Sequence, residues 1–208
     1  MLIACLGPDV FRALEKARDL EAAFCQKYDP EGSSVERLAL EGADLVEAVV
    51  ERANTVSLFS PRRFLRVRDL LRGCPKARLP ALQKALSVDP ENVIVVTVEA
   101  EPPAETLLKN IATLPKWLRY DFPILEGRAF EQWIRERAQL LDVTVTEKQA
   151  QILAERTTGD AWQAAIGILQ LKSGVDLQSV QDAASPLSSV DRSLFAWADA
   201  YLMQDSRW

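Results

Sequence analysis

The stretch that decides the fold reads NVIVVTV, residues 92–98. Six of its seven residues are β-branched, and the run shows no alternation of apolar and polar side chains. Such a run is typical of a strand in the middle of a parallel sheet, where helices cover both faces. Residues 92–98 therefore predict a central strand of an α/β domain.

Strand-like and helix-like segments alternate on either side of this run. The other predicted strands are residues 2–6, 35–40, 64–69 and 117–122. The predicted helices are residues 9–27, a segment from Asp44 to about residues 56–59, residues 79–86 and residues 107–114, with Asp9 and Asp44 as N-caps. This alternation predicts a mainly parallel α/β domain over residues 1–123.

Beyond residue 123 the apolar spacing is helical only. Phe130, Trp133 and Ile134 lie on one stripe, residues 146–149 (TEKQ) match a capping box, and Gly159-Asp160 separates the next two helices. A fourth helix is predicted at residues 176–184. We therefore expect a small all-helical domain over residues 124–186, followed by a linker and a last amphipathic piece over residues 187–208.

The composition excludes several kinds of chemistry. The chain has no histidine and no Cys-x-x-Cys among its three cysteines, so triads that need His, His-ligated metals and four-ligand zinc sites are excluded. We expect no metal and no cofactor. Sparse, unpaired thiols fit a reducing cytoplasm, and no apolar run is long enough to cross a membrane. We expect a cytoplasmic protein.

The first predicted strand-to-helix turn, residues 7–11 (GPDVF), lies where a phosphate-binding loop would be expected. Neither G-x-x-x-x-G-K-[ST] nor G-x-G-x-x-G occurs in the chain. Pro8 lacks an N–H donor, and Asp9 adds a negative charge at the position that phosphate would occupy. No acidic pair is placed for acid–base work. The sequence predicts no working nucleotide site and no catalytic residue.

Two adjacent apolar residues, Leu58 and Phe59, precede Pro61 at the predicted end of the second helix. Neighbouring helical residues point in directions about 100° apart, so one apolar stripe does not readily bury both. Two interpretations stay open. The pair packs under the sheet, or it forms a hydrophobic wedge that binds a partner.

A basic stretch follows directly. Its seven cations, opposed only by Asp69, give a local charge of 7 − 1 = +6 in a chain whose net charge is −5. They are Arg62, Arg63, Arg66, Arg68, Arg72, Lys76 and Arg78. The stretch is either a solvated edge or a surface that faces an acidic protein or a nucleic-acid backbone, with Arg62, Arg63, Arg66 and Arg68 as candidate residues.

Three segments, taken in their order and spacing, resemble the delta subunits of bacterial DNA polymerase III, which belong to clamp loaders. They are residues 2–11, with the first strand and its Gly-x-Asp-x-aromatic turn, residues 57–68, and residues 130–160. The resemblance implies the fold of a clamp-loader ATPase without a working phosphate loop, followed by a helical lid domain.

The resemblance also implies a function. It places the clamp-binding pair of the family on Leu58 and Phe59, and it implies a non-catalytic subunit of a polymerase assembly that binds and opens the sliding clamp. The implied partners are the clamp, other loader subunits and, within the assembly, primed DNA. No cysteine follows Ser-Arg, so no arginine finger is carried over. Residues 187–208 resemble only the start of the family's collar domain, which leaves assembly into a loader ring in doubt.

Two alternatives from other classes stay open at this point. One is an enzyme of the ATPase family with a degenerate nucleotide site. The other is an adaptor that binds nucleic acid through residues 62–78.

Overall fold

In the computed structural model, which describes residues 1–55 and 62–174, the chain divides into two units, Met1–Ile124 and Leu125–Trp208. The elements of the first unit are β1 (Leu2–Leu6), α1 (Val10–Tyr28), β2 (Val35–Arg37), α2 (Gly42–Asn54), β3 (Arg63–Arg68), α3 (Leu79–Val88), β4 (Val93–Glu99), α4 (Glu105–Ile111) and β5 (Trp117–Asp121). Those of the second are α5 (Gly127–Leu140), α6 (Glu147–Thr157) and α7 (Ala161–Lys172). The predicted α/β class is confirmed.

The described strands of the first unit form one parallel sheet in the order β2-β3-β4-β1-β5. β4, the strand of the NVIVVTV stretch, lies between β3 and β1, and Val95 and Val96 on its two faces are fully buried. The central position predicted from the unbroken apolar run is therefore confirmed.

Helices cover the two faces of the sheet unequally. α2, α3 and α4 pack on the face that carries Leu2, Leu65 and Val95. α1 packs on the opposite face, against residues such as Phe64 and Val96. This division follows from right-handed crossovers, because the chain moves along the sheet in one direction through α1 and in the other through α2, α3 and α4.

Two sequence predictions for the second helix are wrong. α2 begins at Gly42 with Glu41 as N-cap, so Asp44 lies in the first turn, where its carboxylate favours the positive end of the helix dipole. α2 also ends at Asn54, because Thr55 takes an extended conformation. β2, predicted as residues 35–40, keeps only three residues, since it pairs with β3 alone.

The described helices of the second unit pack around Phe130, Ile134, Leu153 and Ile168. The capping box is confirmed: the Thr146 hydroxyl accepts from the Gln149 backbone N–H, and the Gln149 side chain accepts from the Thr146 N–H. Residues 175–208, with the predicted fourth helix and the segment 187–208, lie outside the described residues, so those boundaries stay predictions. None of the described helices is long and apolar enough to cross a bilayer.

The turn between β1 and α1 is held against the ends of two neighbouring strands. The Gly7 N–H donates to the Glu99 carbonyl at 2.9 Å, and the Asp9 N–H donates to the Phe122 carbonyl at 3.2 Å. Gly7 has a φ of +139°, and a Cβ at this position would overlap the Phe122 carbonyl. Only glycine fits both requirements.

We expect Gly7→Ala to lower the free energy of unfolding by about 2 kcal/mol or more, because it adds backbone strain and a clash with the end of β5. The matched control is Gly32→Ala. Gly32 also has a positive φ, of +69°, but a Cβ there would have no atom of the described residues within 4 Å. Urea unfolding of both variants measures the difference, and equal losses would contradict a close approach at Gly7.

Candidate functional site

The predicted wedge, Leu58 and Phe59, lies outside the described residues, but the residues on both sides of it are described. α2 ends at Asn54, and β3 begins at Arg63. The Arg63 guanidinium donates to the Arg52 carbonyl in the last turn of α2 at 3.1 Å, and the Arg63 N–H donates to the Asn92 carbonyl at 2.7 Å. The two ends of the segment are therefore tied to each other and to the sheet.

Arg66 is not part of a basic surface, which corrects the sequence prediction. It is only 8% exposed, and its Nη1 lies 3.2 Å from Glu21 Oε2 under α1. Glu21 also pairs with Arg37 of β2. Burial lowers the pKa of Arg66, and the Glu21 carboxylate opposes that shift. The reason is the strand alternation, which turns residues 64 and 66 toward the face that α1 covers.

The other cations of the basic stretch do not form one patch either. Arg72 pairs with Glu101 at 3.2 Å, and Arg78 pairs with Glu47 of α2. Arg68 and Lys76 are exposed. These exposed ion pairs lower the local charge that the sequence suggests, although each adds little to stability.

Arg62 lies beside an aromatic ring at the start of β3. Its guanidinium carbon is 3.8 Å from the centroid of the Tyr28 ring at the end of α1, and the Lys27 amino group is 4.9 Å from the same centroid. These cations lower the pKa of the Tyr28 hydroxyl, with the hydrogen bond from Lys27 as the largest cause. Arg62 and Arg63 are thus the two candidate basic residues that adjoin the segment of Leu58 and Phe59.

The carboxyl ends of the strands form the edge where open α/β sheets bind nucleotides, near the point at which the strand order reverses. In this chain the donors of the first turn are already used. The N–H groups of Gly7 and Asp9 donate to strand carbonyls, and the Arg12 N–H donates to the Asp9 carboxylate at 3.1 Å. Phosphate binding at a helix N-terminus needs free N–H groups, and Pro8 supplies none.

Glu99, at the end of β4, closes the same edge from inside. Its buried carboxylate accepts from the backbone N–H groups of Leu71 and Arg72, at 2.8 and 3.1 Å, and from the Thr97 hydroxyl at 2.6 Å. It thereby holds the turn after β3. Burial raises the pKa of Glu99, and the nearby carboxylate of Asp69 raises it further.

The chemistry available among the described side chains is limited. No group of three or more acidic, cysteine or histidine residues there could hold a metal ion. Burial raises the pKa of the Cys5 thiol to about 11 and also raises that of Cys74. Both thiols are protonated at neutral pH, which makes them poor nucleophiles.

Sequence reasoning did not find Glu21 and Glu99, two buried carboxylates that organise this unit. Glu99 had a signal, because it directly follows an unbroken apolar strand. Glu21 also had one, because it falls on the helical stripe of Ala13, Ala17 and Phe24, which the structure buries.

No protein-family model matches the chain, and no curated protein matches it. Among solved structures it is similar to the Bacillus subtilis DNA clamp loader delta protein YqeN, with a TM-score of 0.54 and 16% identity over 86% of this chain. The chain spans 57% of the length of that protein. This likeness shows the fold, that of a clamp-loader delta protein, and not the function.

Two other structures match at TM-scores below 0.5. The first is the Thermotoga maritima DNA polymerase III gamma subunit-related protein, with a TM-score of 0.42 and 16% identity over 88% of this chain and 71% of that one. The second is the Thermotoga maritima RuvB Holliday junction branch migration motor, with a TM-score of 0.48 and 15% identity over 83% and 54%. At such scores neither structure adds to the assignment of the fold.

We expect Arg66→Ala to lower the free energy of unfolding by about 3 kcal/mol or more, because it leaves the buried Glu21 carboxylate with fewer cations around it. The matched control is Arg68→Ala, two residues along the same strand face but exposed, which should change stability by less than about 0.5 kcal/mol. Thermal or urea unfolding measures both. Similar, small effects would mean that Arg66 belongs to the surface after all.

Stability should also depend on pH through Glu99. Its folded-state pKa is raised above its ordinary value of 4.5, so the folded state holds this proton more tightly than the unfolded state does. The Glu99 contribution to stability is therefore fully present below pH 4.5 and falls as pH rises through the raised pKa.

The measurement compares wild type with Glu99→Gln, which cannot ionise, by urea unfolding at several pH values from 4.5 upward. We expect the unfolding free energy of wild type, minus that of the variant, to decrease as pH rises. A constant or increasing difference would contradict the buried, proton-holding role of Glu99.

Proposed function

We propose that this chain is a delta-type clamp-loader subunit that binds a sliding clamp through Leu58 and Phe59 and helps to hold one clamp interface open. Other subunits of the loader hydrolyse ATP. The observation that carries the proposal is a clamp-loader fold whose first turn has its N–H donors already bonded to β4, to the residue after β5 and to Asp9. A fold of this kind without free phosphate-binding donors suits binding and mechanical work.

The position of the proposed wedge supports the same function. Its segment connects two ends that the Arg63 guanidinium ties together through the Arg52 carbonyl. A segment whose ends are fixed loses less conformational entropy when it is ordered by a partner. Two adjacent large apolar residues on such a segment provide a compact binding surface.

The remaining parts of the proposal concern partners and location. The partners are the sliding clamp, other loader subunits and primed DNA within the assembly, in the cytoplasm. No cofactor or metal is part of the proposal. Assembly with other subunits is its least supported part, because the chain spans 57% of the Bacillus delta protein.

The two alternatives gain less support from the described residues. A nucleotide-binding enzyme would have to break the bonds of the Gly7 and Asp9 N–H groups before phosphate could bind. A nucleic-acid adaptor would need a continuous basic surface, whereas Arg66 is buried and Arg72 and Arg78 are paired with carboxylates.

Changing Leu58 and Phe59 together to Ala should weaken binding to the sliding clamp of the same organism by about a hundredfold. Full burial of each side chain in a partner contributes roughly 1.5–3 kcal/mol, and about 3 kcal/mol corresponds to that factor. Surface plasmon resonance with immobilised clamp measures the affinity, and thermal unfolding measures stability in parallel.

The matched control is the double variant Leu40→Ala with Leu140→Ala, which removes two exposed leucines elsewhere and should leave clamp binding unchanged. Arg62→Ala should instead slow association and reduce its salt dependence. If Leu58→Ala with Phe59→Ala unfolds the protein, the pair belongs to the core. If both stability and affinity survive, the clamp-binding site is elsewhere.

A further inference from the structure

The two edges of the sheet differ in how well they are protected. At one edge, β2 has only three residues, and its charged side chains are engaged: Glu36 binds Arg52, and Arg37 binds Glu21. At the other edge, β5 has five residues and, in the described part of the chain, pairs only with β1. An unprotected edge strand is a template for pairing with another strand.

The peptide groups of β5 that face away from β1 can be identified from the ladder. The Leu2 N–H donates to the Lys116 carbonyl, and the Phe122 N–H donates to the Leu6 carbonyl. Even-numbered residues therefore direct their peptide groups toward β1. Because these groups alternate along a strand, those of Trp117, Arg119 and Asp121 point outward from the sheet.

One face of the β5 edge carries a half-exposed apolar stripe. Leu118 is 45% exposed and Ile124 49%, and Tyr120 and Phe122 between them are partly exposed. The cations of α1 border this stripe on its inner side, with Lys16 over the Tyr120 ring at 4.8 Å and Arg12 over the Phe122 ring at 5.7 Å. The stripe has no described covering on its outer side.

The other face carries one charge of each sign, two residues apart. Arg119 and Asp121 are both exposed and bind each other within the strand, with Nη2 to Oδ1 at 2.8 Å. Edge strands that avoid association present charges of one sign, which repel a second copy. Here an antiparallel copy centred on Tyr120 would place each Arg119 opposite the Asp121 of the other strand.

We propose that the β5 edge is a self-association surface, at which a second copy of this chain pairs antiparallel about a two-fold axis through Tyr120. In this register the outward peptide groups of Arg119 meet those of Asp121 of the second copy, and the reverse, which gives four backbone hydrogen bonds. The same register places Leu118 beside Phe122 of the second copy. The proposal does not rest on the proposed function.

The neighbouring register is disfavoured by charge. Centred on Arg119, it would place the two Arg119 side chains directly opposite each other, and like charges at that position destabilise a strand pair. Pro123 has no N–H, and its carbonyl already accepts from Arg12 at 3.1 Å, so the ladder ends there. An edge this short buries less than the roughly 1,200–2,000 Å² of a stable interface, so the dimer is weak.

The first test uses charge reversal in the full chain, measured by sedimentation equilibrium from about 10 µM to about 1 mM. Wild type should dimerise in this range. Arg119→Asp and Asp121→Arg should each weaken dimerisation by about tenfold, because each variant places like charges opposite each other twice. An equimolar mixture of the two variants should regain dimers, because every opposed pair is again of opposite sign.

The second test fixes the register by cross-linking and does not depend on the charge variants. In a background of Cys25→Ser and Cys74→Ser, Tyr120→Cys should form an intermolecular disulfide on mild oxidation, since paired Cα atoms across the axis lie about 4.5 Å apart. The matched control is Leu118→Cys, whose two copies would be more than about 13 Å apart.

Circular dichroism checks that each variant is folded. A chain that stays monomeric at every concentration would overturn the proposal, as would a dimer that neither charge variant weakens, because such a dimer uses another surface. Cross-linking by Leu118→Cys and not by Tyr120→Cys would overturn the register and with it the proposal.

Discussion

The close approach of Gly7 to Phe122 is the contact on which the rest of the first unit depends. It requires a residue without a Cβ and with a φ of +139°, and it brings the start of α1 against the ends of β4 and β5. The N–H groups that would bind phosphate in a nucleotide-binding relative are used to hold the sheet together. The Asp9 carboxylate then caps α1 from the same turn. One local geometry thus both stabilises the fold and removes the usual ligand site of its sheet.

The same edge is closed a second time by Glu99. A carboxylate at the end of β4 that accepts two backbone N–H groups from the turn after β3 fixes that turn without a bound ion. With the carboxyl edge closed by Gly7 and Glu99, interaction surfaces have to lie elsewhere on the unit. We place them at the segment of Leu58 and Phe59, and at the β5 edge.

How much could be predicted from the sequence depends on whether the signal is local. The central strand, the Asp9 cap and the Thr146 capping box follow from neighbouring residues, and the structure confirms them. Arg66 is different. Its strand pattern suggested a charged, exposed face, and only the packing of α1, with Glu21 beneath it, reveals the buried ion pair. Asp44 failed as a cap because the start of α2 is set by a positive φ at Gly42, which no composition rule anticipates. The wedge residues Leu58 and Phe59 stay a prediction.

The central claim is that this chain works without nucleotide, and the most direct measurement is its melting temperature with and without magnesium-ATP at millimolar concentration. A ligand that binds only the folded state at a hundred times its dissociation constant adds about 2.7 kcal/mol of stability, which is readily visible as a shift in melting temperature. An ATPase with an intact phosphate loop, measured in parallel, is the positive control. We predict no shift for this chain. A rise of several degrees would show that the first turn opens to bind nucleotide, and it would contradict the account.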